Sequence, residues 1–332
     1  MLRNMLLIIA AGLLLLAGVG YGYQSYYLNE DSLAYPAPGH FVTVDGSQIH
    51  FVCQGQGTPW IMMESGLTSD STDWELIWSE LSEYTRVCAY DRPGLGWSEN
   101  VEENRSATEV ASVLHELVLA ENNPDPYVLL GMSAGGVYVR NYYQRYPENV
   151  VGMILIDSSH EQQTNRLPKP LEGTDLTALL AVCDVVAPLG VMRAFKIWPQ
   201  LFASVIDTEK LGLHINKKIA LANQNHSCSA LLREMESFAG DIVQTSPLAS
   251  LADLPLLVFS QGKPPAEGQE KPYFEAERKV WNELQQELVQ LSSNSRRVIA
   301  DQSGHVIQID QPDILIREIP EFIQSLKLDA LL

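Results

Sequence analysis

Short apolar runs alternate with helical stretches from residue 40 onward, and this alternation constrains the fold more than any other feature. The first two runs, joined by Asp45-Gly46, are typical of a β-hairpin. The later runs are continuously apolar, as expected of parallel strands buried on both faces. We therefore predict an α/β fold with a mostly parallel, eight-stranded sheet and helices on both faces. The predicted strands are 41–44, 49–53, 60–64, 86–90, 127–131, 152–157, 254–260 and 296–300, and the predicted helices are 73–84, 105–121, 135–146, 274–291 and 312–327.

One interval interrupts this alternation. Between residues 157 and 254 no convincing strand occurs, but the stretches 176–195, 211–222 and 229–238 are apolar and helix-like. We interpret the interval as a helical cap inserted at the strand ends, where α/β sheets bind ligands. The predicted core therefore comes in two parts, 40–157 and 251–332, with the cap at 158–250.

The N-terminus carries an uncharged apolar stretch, Met5–Gly20, preceded by Arg3. Counted through residue 23 it reaches membrane-spanning length, and the tyrosines at 21, 23, 26 and 27 resemble an interfacial aromatic belt. No good small-x-small cleavage site follows. We predict that residues 1–23 anchor the chain in a membrane, with a cleaved signal segment and secretion as the alternative. Residues 24–39 are predicted to form an extended linker, and Arg3 favours an extracytoplasmic domain.

The charge pattern argues against nucleic acid as a partner. The chain has 22 basic and 41 acidic residues, a net charge of −19 that repels nucleic acid.

His115-Glu116 and His160-Glu161 both lack the second histidine of H-E-x-x-H, so we expect no catalytic metal. No phosphate-binding loop is visible in the sequence, and we expect no cofactor.

The segment Gly131-Met132-Ser133-Ala134-Gly135 lies between an apolar run and a helical stretch. This is G-x-S-x-G in the strand–turn–helix context that a strained nucleophile turn requires, with small residues two positions away on either side. The alternative is a glycine-rich turn with a solvated serine. We predict that Ser133 is a nucleophile.

A serine hydroxyl needs a base, and His305 is the best-placed of the seven histidines. It follows the last apolar run and precedes Pro312 and a helix. Where a serine nucleophile lies in a strand–turn–helix turn, the base comes late in the chain, as His305 does. Earlier in the chain, Ser65-Gly66-Leu67 follows a strand-like run. The backbone N–H of Leu67, with that of Ala134, is predicted to form an oxyanion hole.

Four segments, in order, resemble the α/β-hydrolase superfamily: ESGLTSDSTDW (64–74), YDRPGLGWS (90–98), GMSAGG (131–136) and SGHVIQIDQPD (303–313). The resemblance covers the region 40–327 and points to the esterase or proline-iminopeptidase-like branch. It implies a Ser-acid-His triad without a cofactor. We interpret residues 91–98 as an ordered structural turn rather than as catalytic residues.

This sequence departs from the family pattern at two places. Many members have His-Gly where this chain has Ser65-Gly66. The catalytic acid usually follows the seventh strand, but here that position holds Lys263-Pro264-Pro265. Some members place the acid after the sixth strand, and Asp157 occupies that position. We predict Asp157 as the acid, with Glu267 as the alternative.

The four cysteines show no CxxC spacing and are either buried thiols or two disulfides, depending on the redox compartment. The family's strand order makes the second and fourth strands neighbours. This resemblance implies a Cys53–Cys88 disulfide, with Cys183–Cys228 as a second one inside the cap.

These observations predict a serine hydrolase that cleaves a small-molecule ester, or as second choice an amide, through an acyl-enzyme. An acyltransferase or an aminopeptidase would share the same residues. A non-catalytic ligand-binding protein of the same fold is the alternative from a different class. The cap sequence does not name the substrate.

Overall fold

The computed structural model describes residues 1–102, 106–168, 176–244, 249–264 and 272–329. Eight strands form one sheet in the order β1-β2-β4-β3-β5-β6-β7-β8. The pairs β1–β2 and β2–β4 are antiparallel and all the others are parallel, which confirms the predicted fold class. The strands are β1 (His40–Val44), β2 (Ser47–Gln54), β3 (Trp60–Glu64), β4 (Val87–Tyr90), β5 (Tyr127–Met132), β6 (Val150–Ile156), β7 (Leu256–Gln261) and β8 (Ser295–Ala300).

Helices cover both faces of this sheet, each over its own apolar core. The helices outside the cap are α1 (Leu2–Ala34), α2 (Trp78–Ser82), α3 (Ala107–Ala120), α4 (Ala134–Arg145), α12 (Pro272–Val289), α13 (Ile307–Asp310) and α14 (Pro312–Asp329). On one face, Leu114 of α3, Tyr142 of α4 and Leu288 of α12 pack on the strands. On the other face, α2 and α14 contribute Trp78 and Ile319.

The predicted helix 73–84 is wrong at its start. A 3₁₀ turn at Ser71–Trp74 comes first, and α2 begins only at Trp78. The reason is local capping, because the Asp70 carboxylate accepts a hydrogen bond from the backbone N–H of Thr72 at 2.9 Å. This bond stabilises the tight turn in place of a first helical turn.

The interval between β6 and β7 contains helices and, in the residues that the structure describes, no strand. Several of these helices surround a small core that includes Trp198, Cys183 and Leu231. The predicted boundaries of the cap, 158–250, stay a prediction. The helices are α5 (Gln163–Arg166), α6 (Leu176–Val186), α7 (Val191–Ala194), α8 (Ile197–Val205), α9 (Thr208–Leu211), α10 (His214–Ala222) and α11 (Ser227–Gln244), with a 3₁₀ turn at Ala187–Leu189.

The N-terminal helix α1 is 33 residues long and continues to Ala34. The prediction of an extended linker at 24–39 is therefore wrong for residues 24–34. Tertiary contacts explain the difference, because Gln24 is buried and its amide donates to the backbone carbonyl of Asn223 in the cap at 2.7 Å. The helix ends before Pro36, as a residue preceding proline disfavours helical geometry. Among the described helices, α1 is the one that is long and apolar enough to cross a membrane.

Two disulfides connect parts of the chain that are distant in sequence. Cys53 on β2 lies directly opposite Cys88 on β4, with a Cα–Cα distance of 4.1 Å. Cys183 on α6 and Cys228 on α11 form the second pair, with a Cα–Cα distance of 5.7 Å. The first disulfide therefore joins neighbouring antiparallel strands, and the second joins two helices of the cap.

Candidate active site

Ser133 lies in a sharp turn between β5 and α4. Its backbone has φ +51° and ψ −119°, a strained conformation for a residue with a side chain. The turn is tight enough that a Cβ on Gly131 would lie 2.5 Å from the carbonyl oxygen of Gly135. A Cβ on Gly135 would lie 2.7 Å from the carbonyl oxygen of Ser65. Glycine at both positions is thus what allows the sequence to place Ser133 at the end of the strand.

His305 lies in the loop between β8 and α13 and joins two of the predicted residues. Its Nε2 atom is 2.9 Å from Ser133 Oγ, and its Nδ1 atom is 2.6 Å from Asp157 Oδ2. The His305 side chain is 41 % exposed, whereas that of Asp157 is fully buried. The structure therefore brings Ser133, His305 and Asp157 into one hydrogen-bonded chain with the buried Asp157 at one end.

Asp157 directly follows β6 and has a φ of +39°. Its second carboxylate oxygen, Oδ1, accepts hydrogen bonds from the backbone N–H of Gln261 and from Nε1 of Trp281, each at 3.0 Å. The Trp281 ring also packs edge-on against the His305 ring, with 5.6 Å between their centroids. These contacts fix the carboxylate and the imidazole relative to each other. The alternative acid, Glu267, lies outside the described residues.

The contacts of Trp281 and Gln261 with Asp157 were not predicted from the sequence. Trp281 lies within α12 and Gln261 ends β7, and their distances along the chain from Asp157 are 124 and 104 residues. A tryptophan in a helical pattern is an ordinary core residue, so no local signal marked it. The polar end of β7 was the one available indication, because strand ends in α/β sheets border the ligand site.

The predicted oxyanion donors lie beside Ser133. Ala134 is the first residue of α4, so its N–H has no partner within the helix and is close to the positive end of the helix dipole. A Cβ on Gly66 would lie 3.4 Å from Ser133 Cβ, which places the backbone preceding Leu67 against Ser133. Within the described part of the chain, neither the Leu67 nor the Ala134 N–H donates a hydrogen bond. Both N–H groups are thus unpaired in that part of the chain, as an oxyanion hole would require.

Arg92 supports the loop that carries Leu67. Its guanidinium donates to the carbonyl oxygens of Ser65 at 2.9 Å, Gly66 at 2.6 Å and Ser69 at 3.2 Å. It also forms an ion pair with Glu64 at 2.5 Å. The sequence predicts an ordered structural turn at residues 91–98. It does not indicate that Arg92 holds the neighbouring loop.

A cap residue completes this cluster. Glu234 on α11 accepts from Arg92 Nε at 2.5 Å and from the backbone N–H of Thr68 at 2.5 Å. Burial raises the pKa of Glu64, although the charge of Arg92 opposes this effect. The pKa of Arg92 is raised well above its ordinary value, because the attraction of Glu234 and Glu64 outweighs the opposing effect of burial. The guanidinium therefore stays charged, and core and cap meet at the loop beside Ser133.

An open cavity of about 670 Å³ leads to His305. Core residues, including Trp281, Phe274 and Lys263, line one side, and Val205 at the end of α8 lines the other together with Ile206, which follows it. Its walls are thus partly apolar and are shared between core and cap. Within the described residues, no group of three or more His, Cys, Asp or Glu side chains is arranged to hold a metal ion.

Comparisons with known proteins find relatives of similar sequence and structures of similar fold. An uncharacterised protein of Schizosaccharomyces pombe is 24 % identical over 87 % of this chain, which spans 57 % of that relative's length. The structure of a thermophilic esterase from Thermogutta terrifontis matches with a TM-score of 0.60 and 18 % identity, covering 86 % of this chain and 98 % of the other. A membrane phospholipase A, described as a bacterial virulence factor, matches with a TM-score of 0.63 and 19 % identity, covering 98 % of this chain and 99 % of the other.

At these identities the structural matches show a shared fold. The family relationship rests on a separate finding, since a model of the Alpha/beta hydrolase family matches residues 62–318. This match includes the turn at Ser133 and the loop at His305, and it extends over more than half of the chain. The chain belongs to the alpha/beta hydrolase family.

Proposed function

We propose that this chain is a serine hydrolase that cleaves carboxylic esters of small molecules. The observation that carries the proposal is the chain of hydrogen bonds from Ser133 Oγ through His305 to Asp157. This order of groups activates a serine hydroxyl, because the imidazole accepts its proton and the carboxylate stabilises the resulting imidazolium.

In the first half of the reaction, Ser133 Oγ attacks the ester carbonyl carbon and its proton passes to His305 Nε2. The carbonyl oxygen becomes negatively charged and binds the N–H groups of Leu67 and Ala134. The bond to the alcohol oxygen then breaks, and His305 returns the proton to the departing alcohol. The acyl group remains on Ser133. Water repeats the same sequence of steps and releases the carboxylic acid.

An ester is favoured over an amide as the substrate. Two of the proteins with matching structures are an esterase and a phospholipase A, both of which hydrolyse esters. The cavity walls offer apolar contacts from Val205, Ile206 and Phe274 to an acyl or alcohol group. A panel of p-nitrophenyl esters with graded chain length, set against the matching anilides, would measure both preferences.

A fluorophosphonate probe tests the catalytic proposal directly. The wild-type protein should be labelled covalently, and Ser133→Ala should lose both labelling and ester hydrolysis while keeping its fold. Ser204→Ala is the matched control, because Ser204 lines the cavity that contains His305 but lies outside the triad. Persistent labelling of Ser133→Ala would contradict the proposal.

The same proposal places the catalytic domain on the extracytoplasmic side of a membrane, with α1 as an uncleaved anchor. The length and apolarity of α1 and the two disulfides support this location. Membranes washed with carbonate should retain the full-length chain. A soluble protein that begins near Tyr21–Tyr23 would show a cleaved signal instead.

A further inference from the structure

The cap exposes a row of apolar side chains on α6 and the 3₁₀ turn that follows it. Leu179, Val182, Val185 and Leu189 are 44 %, 60 %, 73 % and 36 % exposed, respectively. Their spacing of three or four residues puts them on one side of the helix. Phe195, 67 % exposed, follows α7. We call these five residues the cap apolar face.

The opposite side of the same segment is also apolar. Leu180, Cys183 and Ala187 are buried in the core of the cap. Asp184 is the one charged residue of α6, so most of the helix surface is apolar. An apolar surface of that extent is expected to be covered, by protein or by lipid. Protein covers one side of α6, so something else has to cover the other.

The cap apolar face lies next to α1. A Cβ on Gly20 would lie 2.6 Å from the carbonyl oxygen of Leu189, so the two backbones are almost in contact. One residue further along the cap, a Cβ on Gly190 would lie 2.8 Å from the Tyr23 ring. The Leu189 end of the cap apolar face therefore lies beside residues 20–23 of α1.

The depth of this contact in a bilayer follows from the length of the apolar stretch in α1. Residues 5–23 are uncharged, and at 1.5 Å per residue they span about 28 Å, close to the ~30 Å hydrocarbon core of a bilayer. Gly20 then lies about 5 Å from the end of the span. Leu189, in contact with it, lies at the boundary between hydrocarbon and headgroups.

Polar contacts fix the angle between α1 and the cap. Arg193 forms an ion pair with Asp31 at 2.6 Å and lies over the Tyr27 ring, 5.4 Å from its centroid. Gln24 donates to the backbone carbonyl of Asn223 at 2.7 Å and to the side chain of Asn225 at 3.1 Å. A helix held at three successive turns cannot swing freely, so the cap keeps its position relative to α1.

We propose that the cap apolar face rests in the interfacial layer of the bilayer that α1 crosses. The inference relies on the anchor in the proposed function, but it does not depend on the catalytic chemistry. We choose lipid because protein does not bury the apolar stretch of α1 in this structure. That apolar surface continues directly into Leu189 and its neighbours on the cap. A protein surface at that depth in the bilayer, beside a membrane-spanning helix, is in contact with lipid.

This placement also relates the bilayer to the active site. Helix α8 begins two residues after Phe195, and its last residue, Val205, lines the cavity that contains His305. Nine residues of helix, about 13 Å, therefore join the cap apolar face to one wall of the cavity.

A fluorescent label on the face tests the proposal. The variants Val185→Cys and Phe195→Cys are made singly in the full-length chain, labelled with a nitrobenzoxadiazole maleimide and placed in phosphatidylcholine nanodiscs. Leu119→Cys is the matched control, since Leu119 is 57 % exposed on α3 of the core. We expect a blue-shifted emission at 185 and 195 that is lost when the lipids carry a shallow nitroxide, and neither effect at 119.

Two results would overturn the proposal. One is quenching by aqueous iodide at 185 and 195 as strong as at 119. The other is protection from iodide without quenching by the lipid nitroxide, which would show that a second protein copy covers the face.

Fluorophosphonate labelling of the same samples keeps the two proposals apart. A protein that reacts with the probe but is aqueous at 185 and 195 contradicts only the bilayer contact. A protein that is quenched by lipid but does not react contradicts only the catalytic activity.

Discussion

Glu234 of the cap and Arg92 of the core form an ion pair with an N–O distance of 2.5 Å. The second oxygen of Glu234 accepts the backbone N–H of Thr68, the residue after the predicted oxyanion donor Leu67. A cap residue is thus part of the support for the loop that carries Leu67. The position of the cap and the shape of the predicted oxyanion hole are therefore linked.

Replacing this carboxylate should lower the rate rather than substrate binding. In Glu234→Gln, the amide must point its NH₂ group at one of two donors, Arg92 Nε or the Thr68 N–H, and the loop has to shift. We expect kcat to fall by about 10- to 100-fold, less than the full loss of an oxyanion donor, with little change in KM. Steady-state kinetics of ester hydrolysis measures both constants.

Glu236→Gln is the control for this variant, because Glu236 lies on the same helix but is exposed. A Glu234→Gln protein with a lower Tm and an unchanged kcat would mean that the cluster only stabilises the fold.

Asp157→Asn should lower kcat by about 10⁴-fold, because an amide neither fixes the tautomer of His305 nor stabilises its charged form. Circular dichroism should show an intact fold. Asp301→Asn, at an exposed site after β8, should behave as the wild type. If Glu267→Gln were inactive and Asp157→Asn nearly wild type, the acid would follow the seventh strand instead.

Trp281→Phe keeps the aromatic packing against His305 but removes the N–H donated to Asp157. A hydrogen bond to a charged group contributes about 1.5–3 kcal/mol, so we expect kcat to fall by roughly tenfold or more. Trp78→Phe is the matched control, since the buried Trp78 N–H has no partner in the described part of the chain. Equal kinetics for the two variants would show that the Trp281 contact does not support the site.

Removing the Cys53–Cys88 disulfide should destabilise the core. The two cysteines are 35 residues apart, and a loop of that size corresponds to about 3–4 kcal/mol of unfolding free energy. Urea denaturation of the Cys53→Ala/Cys88→Ala protein would measure the loss. A free energy within error of the wild type would contradict this, and peptide mapping without reductant would show whether the bond forms.

His50 should make stability fall as the pH rises. Burial lowers its pKa, but the hydrogen bond and charge of Asp91 outweigh this, helped by the Pro38 carbonyl and Asp70, so the pKa is raised above 6.5. The folded state thus binds this proton more tightly than the unfolded state. The resulting stabilisation is complete below pH 6.5 and is lost as the pH rises through the raised pKa.

Urea denaturation at a series of pH values tests this contribution. The wild type should lose unfolding free energy above pH 6.5, and His50→Gln should lose that part of the dependence. Parallel pH profiles for the two proteins would contradict the prediction.

Much of the fold and part of the site could be predicted from local patterns. The bounds of β3 agree with the predicted 60–64, because a buried strand is a continuous apolar run with clear ends. The turn at Ser133 could also be predicted, since the steric need for glycine at positions 131 and 135 arises within a few residues of the serine. The position of His305 followed from the order of motifs along the chain.

The amino-acid sequence by itself determined the strands, the long apolar N-terminal helix and the turn at Ser133, because each depends on residues that are neighbours in the chain. Only the tertiary structure decided how the cap sits on the core. The Arg92–Glu234 and Asp157–Trp281 contacts join residues 142 and 124 positions apart, and no periodicity encodes such pairs. The same holds for the contacts that α1 makes with the cap, through Gln24 to Asn223 and through Asp31 to Arg193.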